Sequence, residues 1–128
     1  MFVRSKADAE KRERSGLVSH FMLGRGDVDS DALAVTWVDV EPAAKQRLHN
    51  HPEIQVYIII AGTGRMQVGD EVRDVKAGDL VFIPSEVFHG IENTGATLLS
   101  YISAANPAFE SLQFAYDNGQ LTPDAYKK

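Results

Sequence analysis

Three of the four histidines fall in two short segments whose residue types suit metal binding. His49 and His51 lie in the first segment, and His89 lies in the second, which is bracketed by glycine and proline. Alternate side chains of an extended chain share a face, so His49 and His51 should point the same way. Because a neutral imidazole is a common metal ligand, these residues predict a nitrogen-rich site if the fold brings both segments together.

Other residues of the first segment could contribute to chemistry there. Tyr57 follows Gln55 at a spacing of two, which places its ring either near the site or in the barrel interior. Arg47 shares the histidine face of a regular strand and could clamp an anionic substrate, whereas a local bulge would turn it outward. Glu53 could serve as a base, although the turn after Pro52 favours a solvated carboxylate.

The composition limits the kinds of site that are available. The chain has 128 residues and no cysteine, which excludes disulfides, thiolate zinc sites, iron–sulfur clusters and a cysteine nucleophile. This length predicts one compact domain, residues 1–128. Any metal must therefore use nitrogen and oxygen ligands.

Charge and hydropathy restrict the partners. There are 18 Asp and Glu against 13 Lys and Arg, a formal net charge of −5, so a broad nucleic-acid surface is not expected. No apolar run approaches the roughly 20 residues that span a bilayer, and the N-terminus has no signal-peptide pattern. We expect a soluble, cytoplasmic protein with no membrane partner.

Short apolar runs separated by Gly, Pro, Asp and Asn predict an all-β domain with a barrel core over residues 16–105. The nine candidate strands are Leu17–Leu23, Leu33–Val40, Lys45–His51, Gln55–Ala61, Gly64–Val68, Glu71–Val75, Leu80–Pro84, His89–Asn93 and Thr97–Ser103. Gly69-Asp70 predicts a tight hairpin between two of them.

The two ends of the chain lack the strand pattern of the barrel. Residues 1–15 form a charged N-terminal arm, in which Ser5 to Ser15 predict a solvated helical turn or a mobile segment. Near the other end, Asn106-Pro107 and Asn118-Gly119 predict the start and the stop of a helix over about residues 107–117. Its apolar face should pack on the barrel or on a partner subunit.

The first histidine segment resembles a motif of the cupin superfamily. That motif runs G-x5-H-x-H-x3,4-E-x6-G, and Ala43, His49, His51, Gln55 and Gly62 occur at its spacings. Alanine replaces the first glycine, and glutamine replaces the glutamate. The second substitution changes the chemistry more than the fold.

The second segment resembles the family's other motif, G-x5-P-x-G-x2-H-x3-N. Gly78, Pro84, His89 and Asn93 match it, and Glu86 stands where glycine is usual. Two motifs in the right order identify the chain as a member of the cupin superfamily. The resemblance implies a double-stranded β-helix, or jelly-roll barrel, with short helical segments at its ends.

The resemblance also implies one divalent transition metal ion, with Fe, Mn, Ni, Cu and Zn all open. Carried over, its ligands are His49, His51, Gln55 and His89, while His20 matches no ligand position. A neutral amide leaves the ion its full +2 charge, which makes it a stronger Lewis acid and removes the usual carboxylate base. Gln55 could instead stay uncoordinated and leave a three-histidine site.

The resemblance leaves the function open between two classes. An enzyme would act on a small carbonyl- or enol-containing substrate, by dioxygenase chemistry or by Lewis-acid isomerisation or cyclisation. The alternative is a non-catalytic cupin that binds or senses a small molecule. As is common in the family, we expect a homodimer, with the N-terminal arm reaching the partner.

Overall fold

Buried and exposed residues alternate along many strands of this protein, as expected where one face of a strand packs on the core. The computed structural model describes residues 1–109. A short 3-10 helix spans Lys6–Asp8. The nine strands are β1 (Glu10–Arg14), β2 (Leu17–Leu23), β3 (Ala34–Val40), β4 (Ile54–Ala61), β5 (Thr63–Val68), β6 (Glu71–Lys76), β7 (Leu80–Ile83), β8 (His89–Asn93) and β9 (Leu99–Asn106).

Two antiparallel sheets enclose the core. The larger has the strand order β1-β2-β3-β9-β4-β7, and the smaller has the order β6-β5-β8. Apolar side chains from both sheets meet between them, and the core includes Leu17, Val38, Tyr57, Ile59, Met66, Ile83, Ile91, Leu99 and Tyr101. This arrangement confirms the predicted all-β cupin barrel. None of the described residues forms a helix with the length and hydrophobicity that crossing a membrane requires.

The N-terminal arm differs from its prediction. Only Lys6–Asp8 are helical, and Glu10–Arg14 form β1, which pairs with β2 along the edge of the larger sheet. Backbone hydrogen bonds to β2 hold this strand, so it needs no apolar face, and its residues are almost all exposed. Ser15 and Gly16 both have positive φ, as a two-residue hairpin turn between β1 and β2 requires.

The other predicted strands agree with the structure within a few residues, except one. Lys45–His51 is not a regular strand: it makes only isolated bridges from Lys45 to Glu92 and from His49 to His89. The predicted C-terminal helix, about residues 107–117, lies almost entirely outside the described residues. Within the described part, residues 107–109 form no helical turn.

Candidate metal centre

The backbone brings the two histidine segments together. His49 and His51 lie in the loop between β3 and β4, and His89 begins β8. The His49 N–H donates to the His89 carbonyl at 3.0 Å, and the His89 N–H donates to the His49 carbonyl at 2.9 Å. Glycine at position 90 permits this approach, since a Cβ there would lie 2.9 Å from the Gln46 carbonyl oxygen.

Each of the three imidazoles is oriented by a hydrogen bond to a backbone carbonyl. Nδ1 lies 2.8 Å from the Arg47 oxygen in His49, 2.9 Å from the Glu53 oxygen in His51 and 2.9 Å from the Val87 oxygen in His89. A carbonyl only accepts, so each Nδ1 carries the proton and each Nε2 presents a lone pair. This is the tautomer that binds metals through Nε2.

The three imidazoles, of His49, His51 and His89, are close together and buried. One ligand atom from each lies within 4.8 Å of the others, and their exposed fractions are 4%, 2% and 0%. The buried Nε2 of His89 has no hydrogen-bond partner in the described part of the chain. A buried acceptor without a partner is costly, and a metal ion at this point would satisfy it.

Burial also sets the protonation of the cluster. It lowers the pKa of His89 to about 4 and lowers the pKa of His51. It lowers the pKa of His49 well below the ordinary value, and the neighbouring His89 adds to this effect. Neutral imidazoles at pH 7 are the form that binds a metal without first losing a proton.

The Gln55 side chain completes one side of the cluster. Its Oε1 lies 3.1 Å from the His51 Nε2, and its Nε2 donates to the Ser103 hydroxyl at 2.7 Å. With the amide oxygen on this side and the proton of His51 on Nδ1, two lone pairs face one another, and a cation between them would bind both. Neighbouring ligands of an octahedral ion with bonds of about 2.1 Å are separated by about 3 Å. These residues therefore fit a metal.

Glu53 is buried, and its expected solvation is wrong. Only 6% of the residue is exposed, and its Oε1 lies 3.7 Å from the His51 Nδ1 without a hydrogen-bond partner among the described residues. The alternation that buries His51 and Gln55 continues through Pro52 and includes Glu53. The carboxylate thus lies beside the protonated nitrogen of His51, where it would offset part of the charge of a bound metal without being a ligand.

Tyr57 has an inward ring, and its hydroxyl bonds to Gln46, which is at none of the specified positions of either histidine motif. The hydroxyl donates to Gln46 Oε1 at 3.1 Å, and the ring stacks on Tyr101 at a centroid distance of 4.2 Å. Burial raises the pKa of Tyr57 to about 12, so the phenol is neutral. Its ring centroid lies 6.0 Å from that of His89.

Arg47 has an exposed side chain, whereas its neighbour Gln46 is buried. The loop is irregular here, as the bulge alternative anticipated, and alternation resumes at His49. The Arg47 backbone carbonyl belongs to the site, where it accepts from the His49 Nδ1.

His20 lies outside the metal centre, in a separate group that we call the outer cluster: Lys6, His20, Trp37, Asp39 and Ser100. Asp39 accepts from Lys6 at 2.8 Å, from Ser100 at 2.6 Å and from Trp37 at 3.1 Å. The His20 Nε2 lies 3.4 Å from Asp39. Burial and the nearby Lys6 lower the pKa of His20, against the effect of Asp39.

The fold and the histidine geometry agree with a known family. The family model for the cupin domain matches residues 36–104. This chain is a cupin. Among solved structures, the cupin is similar to a predicted oxalate decarboxylase of Thermotoga maritima, at 25% identity and a TM-score of 0.75, over 84% of this chain and 99% of that one.

Two curated relatives extend the comparison. The oxalate-binding protein of Thermotoga maritima is 29% identical over 115 residues, which cover 80% of this chain and 91% of that protein. The uncharacterized protein MJ1618 of Methanocaldococcus jannaschii is 34% identical over 71 residues. That match covers 55% of this chain and 57% of the relative, a little over half of its length.

Proposed function

We propose that this cupin binds one divalent transition metal ion through His49, His51 and His89, with Gln55 as the fourth ligand. The observation that carries the proposal is the common orientation of the imidazoles: each donates Nδ1–H to a carbonyl and presents Nε2 to the cluster. Fe, Mn, Ni, Cu and Zn all accept such ligands. A solved structure of similar fold, the oxalate decarboxylase of Bacillus subtilis, is described as having Mn(II) centres.

The ligand that we propose is a small oxygen donor of the carbonyl, enol or carboxylate class. The bound metal would act as a Lewis acid that stabilises negative charge on such oxygens. Because Gln55 is neutral, the positive charge of the metal would be offset by nearby carboxylates such as Glu53 rather than by a ligand. Oxalate belongs to this class, and similarity to an oxalate-binding protein makes it the first compound to test.

The residues around the centre have distinct proposed roles. The neutral Tyr57 phenol would donate a hydrogen bond through the Gln46 network, and Glu53 would hold the His51 ring or accept a proton. Arg47, which is exposed, would attract an anionic ligand toward the loop. Catalysis would take the form of dioxygenase chemistry or of Lewis-acid isomerisation or cyclisation.

A non-catalytic cupin that binds or senses a small molecule is the second candidate. It is supported by the ligand cluster of the described residues, which contains three histidines and no carboxylate. Glu53, the buried carboxylate, lies beside the Nδ1 of His51 rather than its Nε2. A site without an acid or base facing the ligand suits binding better than proton transfer.

The test begins with elemental analysis of protein purified without chelator or added metal. Calorimetry with oxalate then measures binding, while an oxygen electrode and a CO2 assay detect turnover. Binding with oxygen uptake supports an oxygenase, and binding without turnover of oxalate or enolisable 2-oxo acids supports the binding module. If His89→Ala keeps metal content and oxalate affinity at the level of the control His20→Ala, the proposed site is wrong.

We also propose a homodimer, because the outer face of β4 and β7 is apolar and exposed. Its exposed members are Ile54, Ile58, Ile60, Leu80 and Phe82, at 38% to 60%. Covering such a face with a second copy would remove it from water. Light scattering that gives the monomer mass at working concentration would contradict this proposal. The cytoplasmic location stays a prediction.

A further inference from the structure

A groove lies over β1, β2 and β3 of the larger sheet, and it is lined in part by Phe109, whose ring contacts His51. Its volume is about 340 Å3, and its apolar lining comes from Phe21, Leu23, Ala34 and Phe109. The rest of its lining, which we call the rim, is polar apart from Gly24 and consists of Arg4, Asp8, Glu10, Arg25, Asp27 and Thr36. Both guanidinium groups are paired there, Arg4 with Asp27 at 2.9 Å and Arg25 with Asp31 at 2.6 Å. The apolar part of the groove, which includes Phe109, is therefore suited to a neutral group.

Phe109 is shared by the groove and the metal centre. Its ring is buried, with 6% of the residue exposed, and it stands edge-on to the His51 ring at a centroid distance of 5.3 Å and an angle of 84°. One side of the residue lines the groove, and the ring contacts a predicted metal ligand. Phe109 therefore contacts both the groove and the imidazole cluster, which is the position of a partition between them.

Arg25 holds this partition in place from a loop that is distant in sequence. Its Nη2 donates to the Ala108 carbonyl at 2.9 Å, and its Nε donates to the Phe109 carbonyl at 3.4 Å. The Ala108 N–H donates to the Asp31 carbonyl at 2.9 Å, and the Asp31 carboxylate accepts from Arg25. The guanidinium thus ties two consecutive carbonyls to the loop between β2 and β3.

We propose that Phe109 is a specificity-determining residue that confines ligands of the metal to small molecules, and that Arg25 is the residue that positions it. This inference rests on the proposed function, because it concerns the ligand of the same metal. With the phenyl ring in place, a ligand fills only the space at the imidazoles. Without it, a carboxylate ligand gains a neutral tail that extends into the groove.

The groove has room for such a tail. A dry apolar cavity of about 150 Å3 accommodates benzene, and this groove is more than twice that size. Phenylpyruvate is a suitable probe, since it has a 2-oxo acid head that chelates metals and a neutral phenyl tail. Oxalate has a comparable pair of oxygen donors and no tail. Its affinity reports binding to the metal alone, while the affinity of phenylpyruvate also reports whether the groove admits the phenyl tail.

The experiment measures both affinities by calorimetry on Mn(II)-loaded protein. We expect Phe109→Ala to bind phenylpyruvate at least about tenfold more tightly than the wild type, with little change for oxalate, as opening an apolar pocket predicts. Phe109→Leu should show a smaller gain in phenylpyruvate affinity. It replaces the alanine variant in the test if circular dichroism shows that Phe109→Ala is unfolded. An unchanged ratio of the two affinities in the folded variants would overturn the specificity role.

Arg25→Ala should shift the ratio in the same direction as Phe109→Ala, and the double variant should add little to Phe109→Ala alone. Arg4→Ala is the matched control: Arg4 lies at the same rim and forms an ion pair, but its guanidinium donates to Asp27 and to Met22. We expect it to leave the ratio unchanged. An Arg4→Ala shift equal to that of Arg25→Ala would show a general effect of the rim and contradict the positioning role.

A metal-free measurement separates this inference from the proposed function. Carbethoxylation of His51 by diethylpyrocarbonate, followed by mass spectrometry, reports access to the imidazole in chelator-treated protein. We expect several-fold faster modification in Phe109→Ala and Arg25→Ala than in the wild type and Arg4→Ala. If the wild type does not bind metal, the proposed function is refuted, and so is the role of Phe109 in selecting ligands of the metal. If all four proteins are modified at equal rates, Phe109 does not restrict access to His51 and the partition is refuted.

Discussion

The candidate metal centre and the outer cluster both contain histidine, buried in the first and partly buried in the second, yet their polar atoms are arranged in opposite ways. In the outer cluster, one carboxylate, Asp39, accepts from Lys6, Trp37 and Ser100 and lies beside His20. Donors surround an anion, so the charges balance within the protein. At the metal centre, lone pairs face one another, and a buried carboxylate lies outside the ring of ligand atoms.

This difference shows how a binding site is distinguished from a structural network. Burial lowers the pKa of His20 and of His89 alike, so a lowered pKa alone does not identify the metal centre. The direction of the donors and acceptors does. Three Nδ1–H groups are donated to backbone carbonyls, and the Nε2 of His89 remains a buried acceptor that a cation or an external donor could satisfy.

The largest expected effect comes from removing a direct ligand. Loss of a residue that hydrogen-bonds to a metal ligand lowers metal affinity by about 10- to 100-fold. Loss of a ligand itself should cost at least as much, so we expect His89→Ala to weaken metal binding by at least about 100-fold. His20→Ala, which removes the histidine of the outer cluster, should leave affinity unchanged. Competition with a chromophoric chelator measures both variants, and equal losses would erase the distinction between the two regions.

Acid should weaken the metal-free fold through the centre. Above pH 6.5 His89 is neutral in both states, but as the pH falls toward 4 the unfolded chain takes up a proton that the folded chain does not. Stability is therefore lost over this range, by about 3 kcal/mol for His89 alone. His49 and His51 act in the same direction.

Urea unfolding in the presence of a chelator at pH 7 and at pH 4 measures this loss. His89→Gln removes one titrating group and should flatten the dependence. A metal-free protein whose stability rises on acidification would show that these imidazoles are not held neutral.

In the outer cluster, Asp39→Ala should affect stability rather than metal binding. It removes the common acceptor of Lys6, Trp37 and Ser100, and we expect a loss of about 2 kcal/mol in the free energy of unfolding. Urea unfolding gives the loss, and metal titration supplies the control. A fall in metal affinity that matches the fall in stability would mean that the two regions are coupled.

The smallest effect expected is a gain at the metal centre. Gln55→Glu supplies a negative ligand beside His51, and we expect metal affinity to rise by about tenfold. Gln67→Glu adds the same charge on the other sheet and should change affinity little. If Gln55→Glu binds metal no better than the Gln67→Glu control, Gln55 is not a ligand.

Much of the barrel could be predicted because its signals are local. Alternation located β2 and β8 at their observed bounds, and two spaced motifs selected the histidines that the fold brings together. β1 was missed because an edge strand held by backbone bonds needs no apolar alternation. The Ser15-Gly16 pair was the available cue.

The parts of the site that escaped prediction depend on contacts between distant segments. Gln55 bonds to Ser103, 48 positions away, and Arg25 reaches Phe109 across 84 positions. No local pattern encodes either pairing. Glu53 was different: the alternation of buried residues continues through Pro52, and following it would have predicted the buried carboxylate.

The reciprocal backbone bonds between His49 and His89 have a consequence for how this site changes over time. These bonds are made by peptide groups, which every residue has, so the distance between positions 49 and 89 does not depend on the side chains there. Each side chain at these positions can therefore be replaced without breaking the backbone hydrogen bonds. Selection, or a protein engineer, can retune the preferred metal of this barrel by exchanging single donors while the scaffold stays the same.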